Sequence, residues 1–296
     1  MGAATDVTGL VGHRFAGGTI TVARWENRLL TDCTGRAPMA DGLVHPIALF
    51  HVPIQGAGTS IAELFRLCGV SGAGGSVKLL GYDWEYLRPL REDVEHRATG
   101  SIHDVRTGVD GGPDDTVSFR FELHRDDLLV ARVTNHWRLH RATPAAGVAV
   151  TPSERSDRPA PTTGDDAGDR AAAIPPWEMS SVSPERMKTM AALLRDPYPI
   201  HWDREATHAL GLGGRVVNQG PLNLGYVANM LMAWAGDGAV RRLTVSFGRR
   251  VLDGDRVVAR GLVRSIDDGR ATCDVWLDRD GEVVLWGTAE VDAPTG

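Results

Sequence analysis

The sequence predicts an α+β protein built from two copies of one unit, each an antiparallel sheet wrapped around a helix. Three observations carry this. First, the two halves close on the same order of features. "LLGYDWEYLRPLREDVEHRATGSIHDV" then "VSFRFELHRDDLLVARVTNHWRL" in the first half is matched by "LTVSFGRRVLDGDRVVARGLVRSIDDG" then "ATCDVWLDRDGEVVLWGTAEV" in the second. The likeness lies in pattern more than identity, and it implies a duplicated fold. Second, the segment "PLNLGYVANMLMAWAGDG", Pro221 to Gly238, is apolar on nearly every side, so a helix there must be buried on nearly every side. Third, Arg141 to Pro176 is rich in Pro, Ala, Thr, Asp and Gly and nearly empty of large apolar residues, which is the composition of a linker. The expected division is an N-terminal unit over residues 1–140, a linker over 141–176 and a C-terminal unit over 177–296.

The elements follow in order. In the first half, "TSIAELFRLCGV", Thr59 to Val70, is a helix with Ser60 as cap and Gly69 as stop, placed ahead of the strands. The neighbouring run "HPIALFHVPIQGAG" is rich in apolar residues and glycine. Arg88 precedes an acidic turn at Asp93, as Arg250 precedes one at Asp255. In the second half, "SPERMKTMAALLRD" opens with Ser183 as cap, Pro184 at the first helical position and Glu185 near the positive end. That helix stops by Asp196, because Pro197 and Pro199 follow. About four strands come after the buried helix. Val275 and Leu277 alternate with Asp274 and Trp276, and Asp280-Gly281 supplies a tight hairpin turn. The eight tryptophans, among them Trp25, Trp84, Trp177 and Trp234, are expected in core or interface.

Bulk properties exclude several classes. The chain has 296 residues, 42% apolar and 24% charged, as in soluble globular proteins. A net charge of −6 argues against broad nucleic-acid binding, which needs a basic face. No apolar run is long enough to span a bilayer. The N-terminus "MGAATDVTGLVGHRF" lacks the basic start and apolar core of a secretion signal. Cys33, Cys68 and Cys273 are scattered and odd in number, which supports neither a zinc site nor a disulfide framework and leaves a reducing cytoplasm as the default compartment. No glycine-rich dinucleotide loop follows a strand, so neither NAD nor ATP is implied, and no cofactor or metal is expected.

The chemistry concentrates in "RDPYPIHWD", Arg195 to Asp203. Two prolines between Asp196 and His201 all but exclude a helix and leave a stiff, irregular turn that presents a carboxylate and an imidazole. Asp196-Pro-Tyr-Pro-Ile-His201 resembles the D-x-N-P-x-H signature of the MaoC-like dehydratases, the (R)-specific enoyl-CoA hydratase 2 family. The context is similar: a helix before it, "WDREATHALGLGGRVV" after it, then a glycine at the mouth of a buried helix and the strand "LTVSFGRRVLDGD". The resemblance covers the C-terminal half; the N-terminal half resembles the family's degenerate partner domain. It implies a double hot dog, a fold in which each half wraps its sheet around a helix and the sheets join side by side. Three departures stand out: Tyr198 replaces the family's Asn, Asn218-Gln219-Gly220 replaces the usual His-Gly, and Ala228 and Asn229 lie where a serine is often found.

The resemblance implies hydration of trans-2-enoyl thioesters, or dehydration of (R)-3-hydroxyacyl thioesters, on coenzyme A or acyl carrier protein. The residues suit that reaction. A water must reach C3 and a proton C2, and two titratable groups gripping one water, Asp196 and His201, serve both needs. A stiff turn holds the water near its target. The thioester oxygen gains negative charge, and Gly220 is the natural backbone donor at the helix mouth, because Pro221 has no N–H. Each residue also has an ordinary reading: Asp196 as a helix end, His201 as a structural histidine, Gly220 as a turn glycine. Tyr198, Asn218, Gln219 and Asn223 are candidate substrate contacts, with packing for Tyr198 and solvated loop positions for the others as the competing readings. Arg249 and Arg250 face substrate phosphates or are surface arginines, the latter being the stronger expectation. The first half holds only Asp32 and His45-Pro46 as echoes of the motif, at the wrong spacing, and is expected to be structural and substrate-shaping, with "HPIALFHVPIQGAG" as a wall for the acyl chain that the resemblance implies. Two other functions stay open: a thioesterase, disfavoured because Pro221 to Ala235 contains no Asp or Glu, and a non-catalytic acyl-binding subunit. Monomer and homodimer are both compatible with the sequence.

Overall fold

The computed structural model describes residues 6–70, 76–109, 114–140 and 172–294. The first half contains β1 (Gly18–Thr21), α1 (Arg24–Cys33), a 3-10 turn (Pro46–Phe50), α2 (Val52–Gly56), α3 (Ile61–Leu67), β2 (Ser76–Tyr86), β3 (Glu95–Arg106), β4 (Asp115–Arg125) and β5 (Leu128–His140). The second contains β6 (Ala172–Met179), α4 (Pro184–Leu194), a 3-10 turn (Pro199–His201), α5 (Arg204–Ala209), α6 (Gly220–Ala235), β7 (Val240–Phe247), β8 (Val257–Asp267), β9 (Arg270–Arg279) and β10 (Glu282–Asp292).

All ten strands form one antiparallel sheet in the order β1-β3-β4-β5-β2-β7-β10-β9-β8-β6. Read outward from the centre, β2-β5-β4-β3-β1 on one side mirrors β7-β10-β9-β8-β6 on the other, so the duplication expected from sequence is present strand for strand. The halves join where β2 pairs with β7, Gly81 opposite Ser246 through Glu85 opposite Arg242. A Cβ on Gly81 would lie 2.3 Å from the Val245 carbonyl oxygen, so only glycine permits this approach. Asp83 accepts two hydrogen bonds from the Arg242 guanidinium, at 3.1 and 2.9 Å, across the same junction. Hairpin turns close on residues with positive φ, Asp126-Asp127 between β4 and β5 and Asp280-Gly281 between β9 and β10, as the twist of paired strands requires.

α6 packs against all five strands of its own half, and every residue from Pro221 to Met232 is buried. The first half differs from expectation. Thr59–Val70 yields only the short α3, capped by Ser60, whose side chain accepts from Glu63 N–H. The segment inside that half's sheet is instead Pro46–Gly56, a 3-10 turn followed by α2, which packs on β1, β3 and β4. Pro46 and Pro53 break this run into two short pieces and erase the helical period. His45-Pro46 thus opens the first half's inner segment as Gly220-Pro221 opens α6.

The linker boundary also moves. Residues 141–171 lie outside the described residues, whereas 172–176 belong to β6 and pair with β8. Pro175 and Pro176 fall where the register shifts, between Ile174 and Trp177, on an edge strand, the place where a sheet tolerates proline. Trp84 is buried as expected, but Trp25 is 65% exposed on α1. The three cysteines are buried and none forms a disulfide among the described residues.

Candidate active site

α4 ends at Leu194 as predicted, and its cap is unusual. Arg195 takes a left-handed conformation with φ 51°, a position more often held by glycine. Asp196 N–H then bonds back to Ala191 O at 2.9 Å, turning the chain off the helix axis and swinging the Asp196 side chain inward. Its Oδ1 accepts from Tyr198 N–H at 2.9 Å, which closes a local turn and leaves Oδ2 free of that bond. Pro199 starts the 3-10 turn that carries His201.

His201 is held from the other side by the segment leading to α6. Val217 N–H donates to Ile200 O at 2.8 Å, and His201 Nδ1 lies 2.7 Å from Val217 O. A carbonyl oxygen only accepts, so Nδ1 carries the hydrogen and Nε2 faces the site. Nε2 stands 3.7 Å from Asp196 Oδ2, and the two side chains are 12% and 10% exposed. That distance is too long for a direct hydrogen bond. It suits a single water oxygen placed about 2.8 Å from both atoms, the ordinary length of such bonds.

The remaining predicted residues separate into two groups. Gly220 is the first residue of α6, three positions beyond the carbonyl that fixes His201, so its N–H lies ahead of the helix's own hydrogen bonds. A Cβ there would meet Leu79 Cδ1 at 2.8 Å and the Phe247 ring at 3.3 Å. Tyr198 is half-buried, edge-to-face with His201 at 6.0 Å and with Phe65 of α3 at 6.1 Å. Burial raises its pKa, while Arg250 opposes this and Asp196 adds to it. Arg249 is occupied by Glu282 at 2.5 Å. Asn218, Gln219 and Asn223 are buried and braced by protein, not solvated at a mouth: Asn218 donates to Asn223 Oδ1 at 2.7 Å and Gln219 to Met187 O at 2.8 Å. The bond from Gln219 ties the residue just ahead of α6 to the backbone of α4. An open groove of about 600 Å³ runs along α4 to Asp196, lined by Lys188, Ala191, Ala192, Arg195, Pro197 and Trp202.

Sequence reasoning missed Phe65, Leu79, Tyr82 and Phe247. Phe65 and Leu79 come from the N-terminal half and reach Tyr198 and Gly220, while Phe50, within the run expected to form an acyl wall, packs on Tyr82 at 5.5 Å. The alternation that would have marked Leu79 and Tyr82 as facing one side is broken by a bulge between Leu79 and Gly81. Among the described residues no cluster of His, Cys, Asp and Glu is arranged to hold a metal ion, and no helix is long and apolar enough to cross a membrane.

Fold and site together define a double hot dog protein with a carboxylate–imidazole pair at one end of its C-terminal helix. Residues 168–280 match the family model described as MaoC like domain. The whole chain is similar in structure to a MaoC-like dehydratase, with a TM-score of 0.72 at 18% identity over 98% of this chain and 100% of the other. It is similar also to a MaoC-like dehydratase from Phytophthora capsici, with a TM-score of 0.71 at 14% identity over 99% and 100%. A Mycobacterium tuberculosis protein described as having a double hotdog fold aligns with a TM-score of 0.54 at 17% identity over 95% and 96%. At these identities the likeness concerns the fold. A sequence comparison with the curated proteins finds no match.

Proposed function

We propose that the protein is a cofactor-independent hydro-lyase that adds water to trans-2-enoyl thioesters and removes it from (R)-3-hydroxyacyl thioesters, carried on coenzyme A or acyl carrier protein. The observation that carries this reading is the pairing of His201 Nε2 with Asp196 Oδ2 at 3.7 Å, with Nδ1 already committed to Val217 O. A water between them donates one hydrogen toward each. As its oxygen bonds to C3, its released proton passes to this pair, and C2 takes a proton from the pair. Electron density moves onto the thioester oxygen, where the free Gly220 N–H at the positive end of α6 stabilises it. Dehydration runs the same steps backward. Asn218, Gln219 and Asn223 act by fixing the segment that carries Gly220, and Tyr198 by packing His201 against the N-terminal half. Arg250 and the cations of the α4 groove, Lys188 and Arg195, suit the phosphates of the thioester carrier.

The test is incubation with crotonyl-CoA and longer enoyl-CoAs while following the conjugated thioester absorbance. The reading predicts loss of that absorbance without free thiol. Release of thiol would mark a thioesterase, for which α6 offers no carboxylate. Tight binding with no turnover would mark an acyl-binding subunit.

A further inference from the structure

We propose that Tyr82, supplied by the N-terminal half, is a second hydrogen-bond donor to the thioester carbonyl oxygen, acting beside the Gly220 N–H. The inference rests on the reading of the site as one that binds an acyl thioester.

Tyr82 is 1% exposed, and among the described residues its hydroxyl has no hydrogen-bond partner. A buried phenol without a partner is costly, and the side chain that would avoid the cost, phenylalanine, is the same shape. The ring is fixed on three sides: stacked on Trp84 at 5.0 Å, edge-to-face with Phe247 at 5.0 Å, and tilted against Phe50 at 5.5 Å. Phe247 is the ring that stands 3.3 Å from where a Cβ on Gly220 would be. Leu79, which stands 2.8 Å from that same position, lies on β2 ahead of the bulge, and Tyr82 follows just beyond it. Phe247 is thus a shared neighbour of Tyr82 and Gly220, and Leu79, on the same strand as Tyr82, reaches Gly220 as well. Asp196 is the charged group whose field bears on the Tyr82 hydroxyl. Burial, with that carboxylate adding to it, holds the phenol well above its ordinary pKa of 10, so it stays protonated and can only help as a neutral O–H.

Of the first two residues of α6, Gly220 offers a backbone N–H and Pro221 offers none. An oxygen that gains charge in the transition state is best held by two. Tyr82 supplies the second from across the β2–β7 junction, which makes the N-terminal half part of the chemistry and not solely a wall.

The test is Tyr82→Phe, read in three ways. With crotonyl-CoA the variant should lose about 100-fold in kcat, the scale of one donor to a developing oxyanion, with a smaller change in KM. Its melting temperature should stay level or rise, and its pH–rate profile should keep the wild-type shape, because Tyr82 does not titrate in the working range. A kcat within about twofold of wild type would overturn the proposal, as would a loss explained by a lowered melting temperature. The third reading needs no turnover: the infrared carbonyl stretch of bound [1-¹³C]butyryl-CoA. It should fall in frequency on binding to the wild type and return part of the way in Tyr82→Phe. Equal frequencies in the two proteins, or no binding by the wild type, would overturn it. A wild type that shifts the carbonyl yet hydrates nothing would defeat the hydro-lyase reading and leave Tyr82's role standing.

Discussion

The Val217 carbonyl oxygen, 2.7 Å from His201 Nδ1, decides which nitrogen of the histidine carries the hydrogen. It commits one ring nitrogen to structure and turns the other toward Asp196. A second contact, Val217 N–H to Ile200 O at 2.8 Å, ties the turn that carries Asp196 and His201 to the segment that leads to Gly220, so the three proposed site groups are held by one piece of backbone. Gly220→Ala probes that coupling. The added methyl would press on Leu79 Cδ1 at 2.8 Å, the far end of a flexible side chain. Activity should therefore fall by more than 10-fold while the melting temperature drops only a few degrees. Adding Leu79→Ala should recover part of the activity. Kinetics and melting of the single and double variants check this.

Tyr198 packs between His201 and Phe65, so its ring matters more than its hydroxyl. Tyr198→Phe should keep kcat within about threefold. Tyr198→Ala should lower kcat by about 10-fold or more, by releasing His201 from its packed position; a misplacement of one ångström costs on that order or beyond. Steady-state kinetics on the two variants separates the roles.

Stability should depend on pH through His45. This residue is fully buried, bonds Asn229 Oδ1 through Nε2 at 2.9 Å and accepts from Ile47 N–H through Nδ1 at 3.2 Å, so it is held neutral. Burial, with Arg36 nearby, pushes its pKa down to about 4 against partial opposition from Asn229 and Asp237. A folded-state pKa below the unfolded one means the unfolded chain binds the extra proton. Stability from this group is thus complete above about pH 6.5 and is lost as pH falls toward 4. The loss should reach about 3 kcal/mol at the low end. Urea titrations between pH 7 and pH 4 measure it, and His45→Gln should flatten this part of the curve.

The legible parts of the sequence were those with a strong local signal. Ser183, Pro184 and the prolines after Asp196 fixed both ends of α4, and the unbroken apolar run from Pro221 fixed α6. The Asp280-Gly281 turn was readable because a positive φ at both residues demands such a pair. The inner segment of the first half was not readable, since Pro46 and Pro53 divide it below the length at which a helical period shows. β6 was hidden because its prolines sit at an edge-strand bulge, where they are harmless but look like linker. The motif pointed to Asp196 and His201; it was blind to Phe65 and Leu79, which come from the other half of the chain to touch Tyr198 and Gly220.

The central claim is that Asp196 and His201 share one water. It is tested most directly by a double-mutant cycle on kcat for crotonyl-CoA hydration, using Asp196→Asn, His201→Ala and the pair together, with melting curves alongside. Each single change should cost on the order of 100- to 10,000-fold with the fold intact. The double variant should be little worse than the worse single one, because the groups act as a unit. Near-normal turnover by either single variant, or losses that multiply in the double, would contradict the account.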